Sequence, residues 1–378
     1  MKSAIDKLIA ATNRFGFKLF AELLKQQPNQ NIFISPLSIS IALSILYNGA
    51  VGQTQAEMAI ALGIQDMSVQ EINQANAQLI KLLENLADVQ VAIANSLWAE
   101  PNLHFRTEFL QRVQEFYQAE VQNLDFSDSD AAATINQWAS DKTYGKVQQI
   151  VQQLSPATIL VLLNAIYFKG AWSDRFDLTQ TQPGMFTLLD GSQRQVPMMR
   201  QFGEYCCYAD KDFQAVRIPF EAKRLSLDIF LPHSLAQVNA FYESLRLGSG
   251  FKWLRQFPPK PITKSSINLV LPRFRIEYAV KFELKSALVN LGMKQAFAEA
   301  ANFEQMCSGS LKISQITHKT FFEVNEEGAE AAAVTAIEME RGLPSTLTID
   351  RPFFCTIRDQ QTGAILFMGI VVDPVAAE

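Results

Sequence analysis

The sequence predicts a single α+β domain, with helices dominating the first part of the chain and β-strands the rest. Apolar residues recur at helical spacing through the first 24 residues, a near-continuous apolar run covers residues 158–168, and alternating runs separated by turn signals follow Gly170. The chain has 378 residues, of which 48% are hydrophobic, and it contains no internal repeat or long linker. We therefore expect one domain over residues 1–378.

Capping signals place the helices. Ser35 followed by Pro36 opens an apolar helix, because serine caps a helix start and proline suits its first position. Capping-box patterns at residues 54–57 and 68–71 predict two further helix starts. Helical patterns also cover residues 5–24, 108–119, 130–142, 235–245 and 280–291.

Alternating or continuous apolar runs predict the strands. The run at residues 158–168 is apolar on both faces, which is typical of a sheet strand covered by other structure on each side. The other predicted strands lie at residues 31–34, 89–98, 185–188, 195–199, 214–219, 225–231, 267–276, 320–324, 352–357 and 364–371.

Charge and hydropathy argue against several classes of partner. The net charge is -5, without a dense cluster of Lys or Arg, which disfavours nucleic acid or an anionic membrane as the main partner. No apolar run is long enough to span a bilayer. Asp6 and Lys7 interrupt the stretch in which a signal peptide would need apolar residues. We expect a cytoplasmic protein, unless a leader has been removed.

The sequence contains no recognisable motif for catalysis or metal binding. Patterns for a hydrolase nucleophile, a dinucleotide fold and a phosphate loop are absent from it. None of the three histidines has metal-ligand spacing, and the four cysteines lack CxxC spacing and are expected to be reduced packing residues. These residues are His104, His233, His318, Cys206, Cys207, Cys307 and Cys355. We expect no catalytic residue, no metal and no cofactor.

Residues 329–341 are compatible with two conformations. Their Ala, Glu, Met and Arg content favours a surface helix. A second period is also present, because small or apolar residues fill every odd position from 329 to 339 and the three glutamates fall on the other parity, as in a half-buried strand. The first set is Ala329, Ala331, Ala333, Thr335, Ile337 and Met339, and the glutamates of the other parity are Glu330, Glu338 and Glu340. Such a segment, between two strand-like runs, is a candidate for a piece of chain that changes state.

Several stretches together resemble the serpin superfamily, protease inhibitors that act by a conformational trap. They are Asn-Ile-Phe-Ile-Ser-Pro-Leu-Ser at 31–38, Asn-Ala-Ile-Tyr-Phe-Lys-Gly-Ala-Trp at 164–172, Leu-Pro-Arg-Phe at 271–274 with Leu-Gly-Met at 291–293, His-Lys at 318–319 with Glu-Val-Asn-Glu-Glu-Gly at 323–328, and Arg-Pro-Phe-Phe at 351–354 with Leu-Phe-Met-Gly at 366–369. The resemblance extends from the first helix to residue 374. It implies a serpin fold with three β-sheets, about nine helices and an exposed reactive loop at residues 329–344.

The resemblance also implies roles for individual residues. The hinge of the reactive loop corresponds to Gly328, Ala329, Ala331, Ala332 and Ala333. The shutter, a polar cluster behind the main sheet where its strands part, corresponds to Ser35, Ser38, Asn164 and His318. The breach, at the top of that sheet where the loop enters, corresponds to Trp172, Arg273 and Glu326. We expect an ion pair between Arg273 and Glu326.

The implied activity is that of a suicide substrate, which traps a serine protease as a covalent acyl-enzyme. Two positions are open for the reactive bond. Counting forward from Gly328 at the family spacing places it between Gly342 and Leu343, whereas counting back from Pro352 places it between Arg341 and Gly342. A trypsin-like pocket binds a basic side chain through a charge-assisted contact, which favours Arg341.

The expected partner is therefore a serine protease in a covalent complex with a monomer of this chain. Residues 68–86 contain Lys81 as their only basic residue, which removes the most obvious place for the polyanion-binding helix of the family. One alternative is a serpin fold used without inhibition, as a binding or chaperone-like protein, and another is an enzyme with an unrecognised site. Non-inhibitory members tend to carry bulky, charged or proline residues in the hinge, and the inward positions here have none.

Overall fold

Helices occupy most of the first 142 residues, and strands dominate from residue 160 onward. The computed structural model describes residues 3–84, 89–221, 223–247, 257, 264–309, 311–326 and 345–374. The α-helices in these residues are α1 (Ala4–Gln26), α2 (Pro36–Tyr47), α3 (Gly52–Leu62), α4 (Val69–Glu84), α5 (Thr107–Tyr117), α6 (Ala131–Lys142), α7 (Leu235–Arg246) and α8 (Phe282–Asn290). None of them is both long and apolar enough to cross a membrane.

The strands follow the predicted order. They are β1 (Ile32–Ile34), β2 (Val89–Ala99), β3 (Glu120–Asn123), β4 (Leu160–Gly170), β5 (Gln182–Thr187), β6 (Gln193–Ala209), β7 (Phe213–Pro219), β8 (Leu225–Pro232), β9 (Lys264–Pro272), β10 (Phe274–Val280), β11 (Gln315–Val324), β12 (Ser345–Thr348), β13 (Phe353–Asp359) and β14 (Ile365–Val371). The run predicted as one strand over residues 267–276 is two strands, because Arg273 separates β9 from β10. Neither β3 nor β12 was predicted.

Two of the three predicted capping signals form at helix starts. Ser35 caps α2, with its hydroxyl accepting a hydrogen bond from Ser38 N over 3.1 Å. Ser68 and Glu71 form a reciprocal box before α4, since each side chain accepts from the other residue's backbone N–H.

The third predicted signal, at residues 54–57, is wrong. Helix α3 begins two residues earlier, at Gly52, without a side-chain cap at its start. The hydroxyl of Thr54 instead accepts a hydrogen bond from Asn302 N over 2.9 Å. Thr54 therefore holds a distant part of the chain against α3 rather than starting the helix.

Five strands form a mixed sheet in the order β10-β11-β4-β2-β3. The pairs β11–β4 and β2–β3 are parallel, and the other two are antiparallel. Strand β4 is buried along almost its full length, as the apolar run predicts. One face of this sheet packs on the main hydrophobic core and the other on a smaller cluster beneath α6 that includes Trp98, Trp138 and Tyr167.

The remaining nine strands form one hydrogen-bonded set that is joined through β6, a strand of 17 residues. The first part of β6 pairs with β5 and its middle part with β9, which pairs in turn with β12. The last residues of β6 pair with β7, and β8, β13, β14 and β1 follow in that order. The set thus consists of two sheets that share one strand, which together with the five-stranded sheet gives the three sheets expected.

Candidate functional site

Strands β4 and β11 lie side by side in the middle of the five-stranded sheet and pair directly in parallel. Their register runs from Gln315 opposite Val161 to Phe322 opposite Phe168, and we call these eight residue pairs the seam. The upper end of the seam is the end at Phe322, from which the chain continues toward residue 326. A strand entering the sheet at the seam has to separate this ladder of backbone hydrogen bonds.

A row of polar side chains crosses the sheet at the seam. His318, Asn164 and Asn95 lie opposite one another in register on β11, β4 and β2. His318 Nδ1 lies 2.6 Å from Asn164 Oδ1, and Asn164 Nδ2 donates to Asn95 Oδ1 over 2.7 Å. Asn164 Nδ2 also donates to Ser38 Oγ over 2.5 Å, so both of its hydrogens are used. We call these four residues, together with Ser35, the polar cluster.

The start of α2 fixes the state of the histidine. Ser35 N donates to His318 Nε2 over 3.1 Å. Since Nε2 accepts this bond, the ring proton is on Nδ1, which donates to Asn164 Oδ1. Complete burial lowers the pKa of His318 to about 3, because a charged ring would lose its hydration there. The histidine is therefore neutral near pH 7, with both ring nitrogens hydrogen-bonded.

Trp172 lies above the upper end of the seam. Its Nε1 donates to the carbonyl oxygen of Asn325 over 2.8 Å, just beyond the end of β11. The indole stacks on Phe220, with 4.8 Å between the ring centroids. Trp172 therefore connects the chain that leaves β11, through a hydrogen bond, with the aromatic core, through ring stacking.

Glu326, the next residue, is almost completely buried. Thr181 Oγ1 donates to Glu326 Oε1 over 2.6 Å, and Arg273 Nε lies 3.4 Å from Glu326 Oε2. Arg273 occupies the break between β9 and β10, where its backbone N–H donates to Pro197 O over 2.9 Å. The ion pair expected between these two residues is thus present, and a threonine hydroxyl completes the partners of a buried carboxylate.

These features occur in a chain whose residues 10–374 match the family model described as Serpin (serine protease inhibitor). The chain belongs to the serpin family. An uncharacterized serpin-like protein of Thermococcus kodakarensis is 35% identical over 377 residues, covering 97% of this chain and 86% of the relative. The leukocyte elastase inhibitor of Bos taurus is 34% identical over 385 residues, covering 98% of this chain and 100% of the relative.

A solved serpin structure extends the comparison to the fold. Human thyroxine-binding globulin complexed with thyroxine is similar to this chain with a TM-score of 0.89 and 32% sequence identity, covering 98% of this chain and 100% of that chain. The serpin family therefore includes a protein with a small molecule bound. The role of an individual serpin depends on its own residues as well as on its family.

The structure brings together the residues that the resemblance assigned to the shutter and to the breach. Sequence reasoning missed two members of these groups, Asn95 and Thr181. An asparagine inside an apolar strand run is a usable signal for Asn95, because a buried amide requires partners. No comparable signal marks Thr181, which lies in a loop.

A segment covers the front of the seam, opposite the polar cluster. We call residues 143–151, between α6 and β4, the connecting segment. Lys319 Nζ donates to Gln149 O over 2.6 Å and lies 2.6 Å from Glu277 Oε1. Lys146 Nζ lies 5.5 Å from the centroid of the Phe321 ring. A strand that entered the seam would have to displace these contacts.

The predicted hinge and reactive-bond residues lie outside the described residues. They are Gly328, Ala329, Ala331, Ala332, Ala333, Arg341, Gly342 and Leu343. Within the residues that the structure does describe, no group of three or more His, Cys, Asp or Glu side chains could hold a metal ion. Burial raises the pKa of the Cys207 thiol to about 11, which disfavours the reactive thiolate.

Proposed function

We propose that this serpin inhibits a trypsin-like serine protease by acting as a suicide substrate. The observation that carries the proposal is the seam, where two parallel strands pair directly. In the sequence, the alternating segment at residues 329–341 follows β11 closely. Insertion of a serpin reactive loop into a sheet is an established case of strand addition. The seam is the position in this chain where such a strand would be flanked on both sides.

The chemistry begins with the protease. Its serine Oγ attacks the carbonyl carbon of Arg341, the bond from that carbon to Gly342 N breaks, and the new amino terminus takes up the proton. Arg341 is then joined to the protease through an ester. The residues before Arg341 enter the seam and carry the protease with them, before water can hydrolyse the ester.

The side chains of the segment suit this movement. The side chains at odd positions, from Ala329 to Met339, are small or apolar and are suited to burial. The glutamates of the opposite parity remain in solvent. If about a dozen residues gain ladder hydrogen bonds at roughly 0.5 to 1.5 kcal/mol each, insertion yields on the order of 10 kcal/mol. This is comparable to the stability of a whole domain, about 5 to 15 kcal/mol.

A covalent complex tests the proposal. Trypsin mixed with the protein in equal amounts should give a complex that survives boiling in SDS. Trypsin without its nucleophilic serine serves as the control and should give none. Cleavage of the chain without a complex would contradict inhibition and favour the non-inhibitory alternative.

A second measurement tests insertion separately. Cutting within the loop with a protease that escapes trapping should raise the thermal denaturation midpoint by more than about 10 °C, because insertion of the cut loop adds to the free energy of unfolding. Spectroscopy should also show additional β-structure. An unchanged midpoint would mean that the cut loop does not enter the sheet.

A further inference from the structure

Strand β2 has an open edge. On one side it pairs with β4 along its full length. On the other side it pairs with β3 only over residues 96–99. Across the described parts of the chain, no strand pairs with this second side over residues 89–95, which we call the open edge. Residues 90–93 are exposed or half-buried, and their backbone N–H and C=O groups on this side can accept a further strand.

The open edge lacks the features that usually protect a sheet edge. Proteins commonly interrupt long exposed edges with charged residues, proline or a bulge. Residues 89–95 read Val-Gln-Val-Ala-Ile-Ala-Asn, without a charge or a proline, and their register with β4 is regular. By contrast, β10, at the opposite side of the same sheet, carries Arg275 and Glu277 with their side chains exposed.

A cavity of about 710 Å³ lies against the open edge. This volume is within the range of about 300 to 1,000 Å³ found for binding sites. Ile80 and Leu83 of α4, which are largely buried in the main core, line the cavity together with the exposed Glu84. Lys142 and Lys169 line it as well. The half-buried strand residues that line it are Val91, Ala92 and Ile93.

The basic side of the cavity is available to a ligand. Lys169 is exposed and has no hydrogen bond or ion pair within the described residues. Lys142 pairs with Glu120, yet its side chain remains 48% exposed. Tyr144, which also lines the cavity, is exposed and has a φ of 54°, a backbone conformation that is uncommon for a bulky residue.

We propose that the open edge binds an extended segment of a partner protein by strand addition. Backbone hydrogen bonds to β2 hold the segment, and its side chains alternate in direction. Apolar side chains of one parity pack toward Ile80 and Leu83. Acidic side chains of the other parity lie beside Lys142 and Lys169. The partner is thus a protein with an exposed segment in which apolar and acidic residues alternate.

Binding at the open edge and protease trapping use different strand pairings. Strand β4 separates β2 from β11, so a strand added to the open edge leaves the seam paired. The two proposals can therefore fail separately, because one is measured by peptide binding and the other by a covalent complex.

The experiment uses a labelled, acetylated heptapeptide of alternating valine and glutamate, titrated into the intact protein and followed by fluorescence anisotropy. We expect saturable binding with a Kd below about 1 mM. A peptide of the same composition, with its valines and glutamates in two blocks, should bind more weakly. Two further peptides, N-methylated at the odd or at the even amides, leave the protein untouched. At least one of them should lose binding, because only one set of amides faces β2.

Charge reversal tests the basic side of the cavity. Lys169→Glu should weaken binding of the valine–glutamate peptide by roughly three- to tenfold and strengthen binding of a valine–lysine peptide. Lys264→Glu is the matched control, since this lysine is also exposed on a strand but lies outside the cavity, and it should change neither Kd. In hydrogen exchange, amides at residues 89–95 should slow when the peptide binds, and those of β10 and β12 should not.

Three results would overturn the proposal. The first is no saturable binding of the alternating peptide, and the second is undiminished binding of both N-methylated forms. The third is concentration-dependent dimerisation of the free protein that protects the amides at residues 89–95, which would identify a second copy of this chain as the occupant. Light scattering across a range of protein concentrations measures the last.

Discussion

His318 and Asn164 are joined across the seam by a hydrogen bond of 2.6 Å between Nδ1 and Oδ1. The other ring nitrogen already accepts a hydrogen bond from the backbone of Ser35. A second proton on the ring would therefore face a backbone N–H, and a buried charge would lie between two strands. The bond that links the strands thus depends on a neutral imidazole.

We predict that acid weakens the protein through His318. Burial lowers its pKa from 6.5 to about 3, so between these values the unfolded chain binds a proton that the folded chain does not. The stability that neutral His318 contributes is complete above pH 6.5 and is lost as the pH falls toward 3. At about 1.4 kcal/mol per pH unit, the loss at pH 5 is about 2 kcal/mol. Urea unfolding at pH 7.5 and pH 5 measures it.

Two variants test whether His318 is the source of this pH dependence. His318→Gln should lower stability at pH 7.5 but should lose about 2 kcal/mol less on acidification, because glutamine does not titrate. His104→Gln is the control, since His104 is exposed, and it should behave like the parent protein. Equal acid sensitivity of His318→Gln and the parent would show that another group is responsible.

The ion pair between Arg273 and Glu326 should be detectable by a double-mutant cycle. The carboxylate is buried, and the Arg273 side chain is 36% exposed, so we expect a coupling of about 1 kcal/mol for Arg273→Ala combined with Glu326→Gln. The same cycle on Lys264 and Glu204, an exposed pair 4.0 Å apart, should show no measurable coupling. Equal coupling in both cycles would mean that burial of Glu326 adds nothing to the pair.

The parity of the reactive loop predicts opposite outcomes for neighbouring substitutions. Ala333→Glu places a charge at a position that the proposed insertion would bury, so insertion should slow and the variant should be cleaved as a substrate. Ala332→Glu, on the solvent parity, should still trap trypsin. The amount of inhibitor needed per protease molecule distinguishes the two. Unchanged trapping by Ala333→Glu would refute the assigned parity.

The reactive bond is predicted to join Arg341 and Gly342. Mass spectrometry of the fragment released by trypsin should show an amino terminus at Gly342, and Arg341→Gln should reduce trypsin inhibition by at least about 100-fold. An amino terminus at Leu343 would instead assign the bond to the alternative position.

Local patterns predict most of the fold because their partners lie close in sequence. The capping box of Ser68 and Glu71 spans four residues and forms as expected. Thr54 belongs to a pattern of the same kind, but its hydroxyl binds Asn302, 248 residues away. Short local patterns contain no information about such a contact.

The candidate site shows the same difference between what short stretches predict and what long-range contacts determine. The family stretches contain Asn164, His318 and Ser35, so the resemblance places them together. Asn95 joins them only because β2 pairs with β4 in a register that aligns two asparagines 69 residues apart. Register between distant strands depends on the whole sheet, and neither the periodicity of one strand nor a short stretch determines it.

The parallel direction of β4 and β11 has an energetic consequence for the sheet. A chain that leaves β11 and turns back beside it runs antiparallel to β11, and because β4 has the same direction as β11, it runs antiparallel to β4 as well. Entry of such a strand exchanges one ladder of slanted hydrogen bonds for two ladders of perpendicular ones, which are slightly stronger per residue. Strand polarity alone therefore biases the sheet toward the six-stranded arrangement, before any side chain is considered.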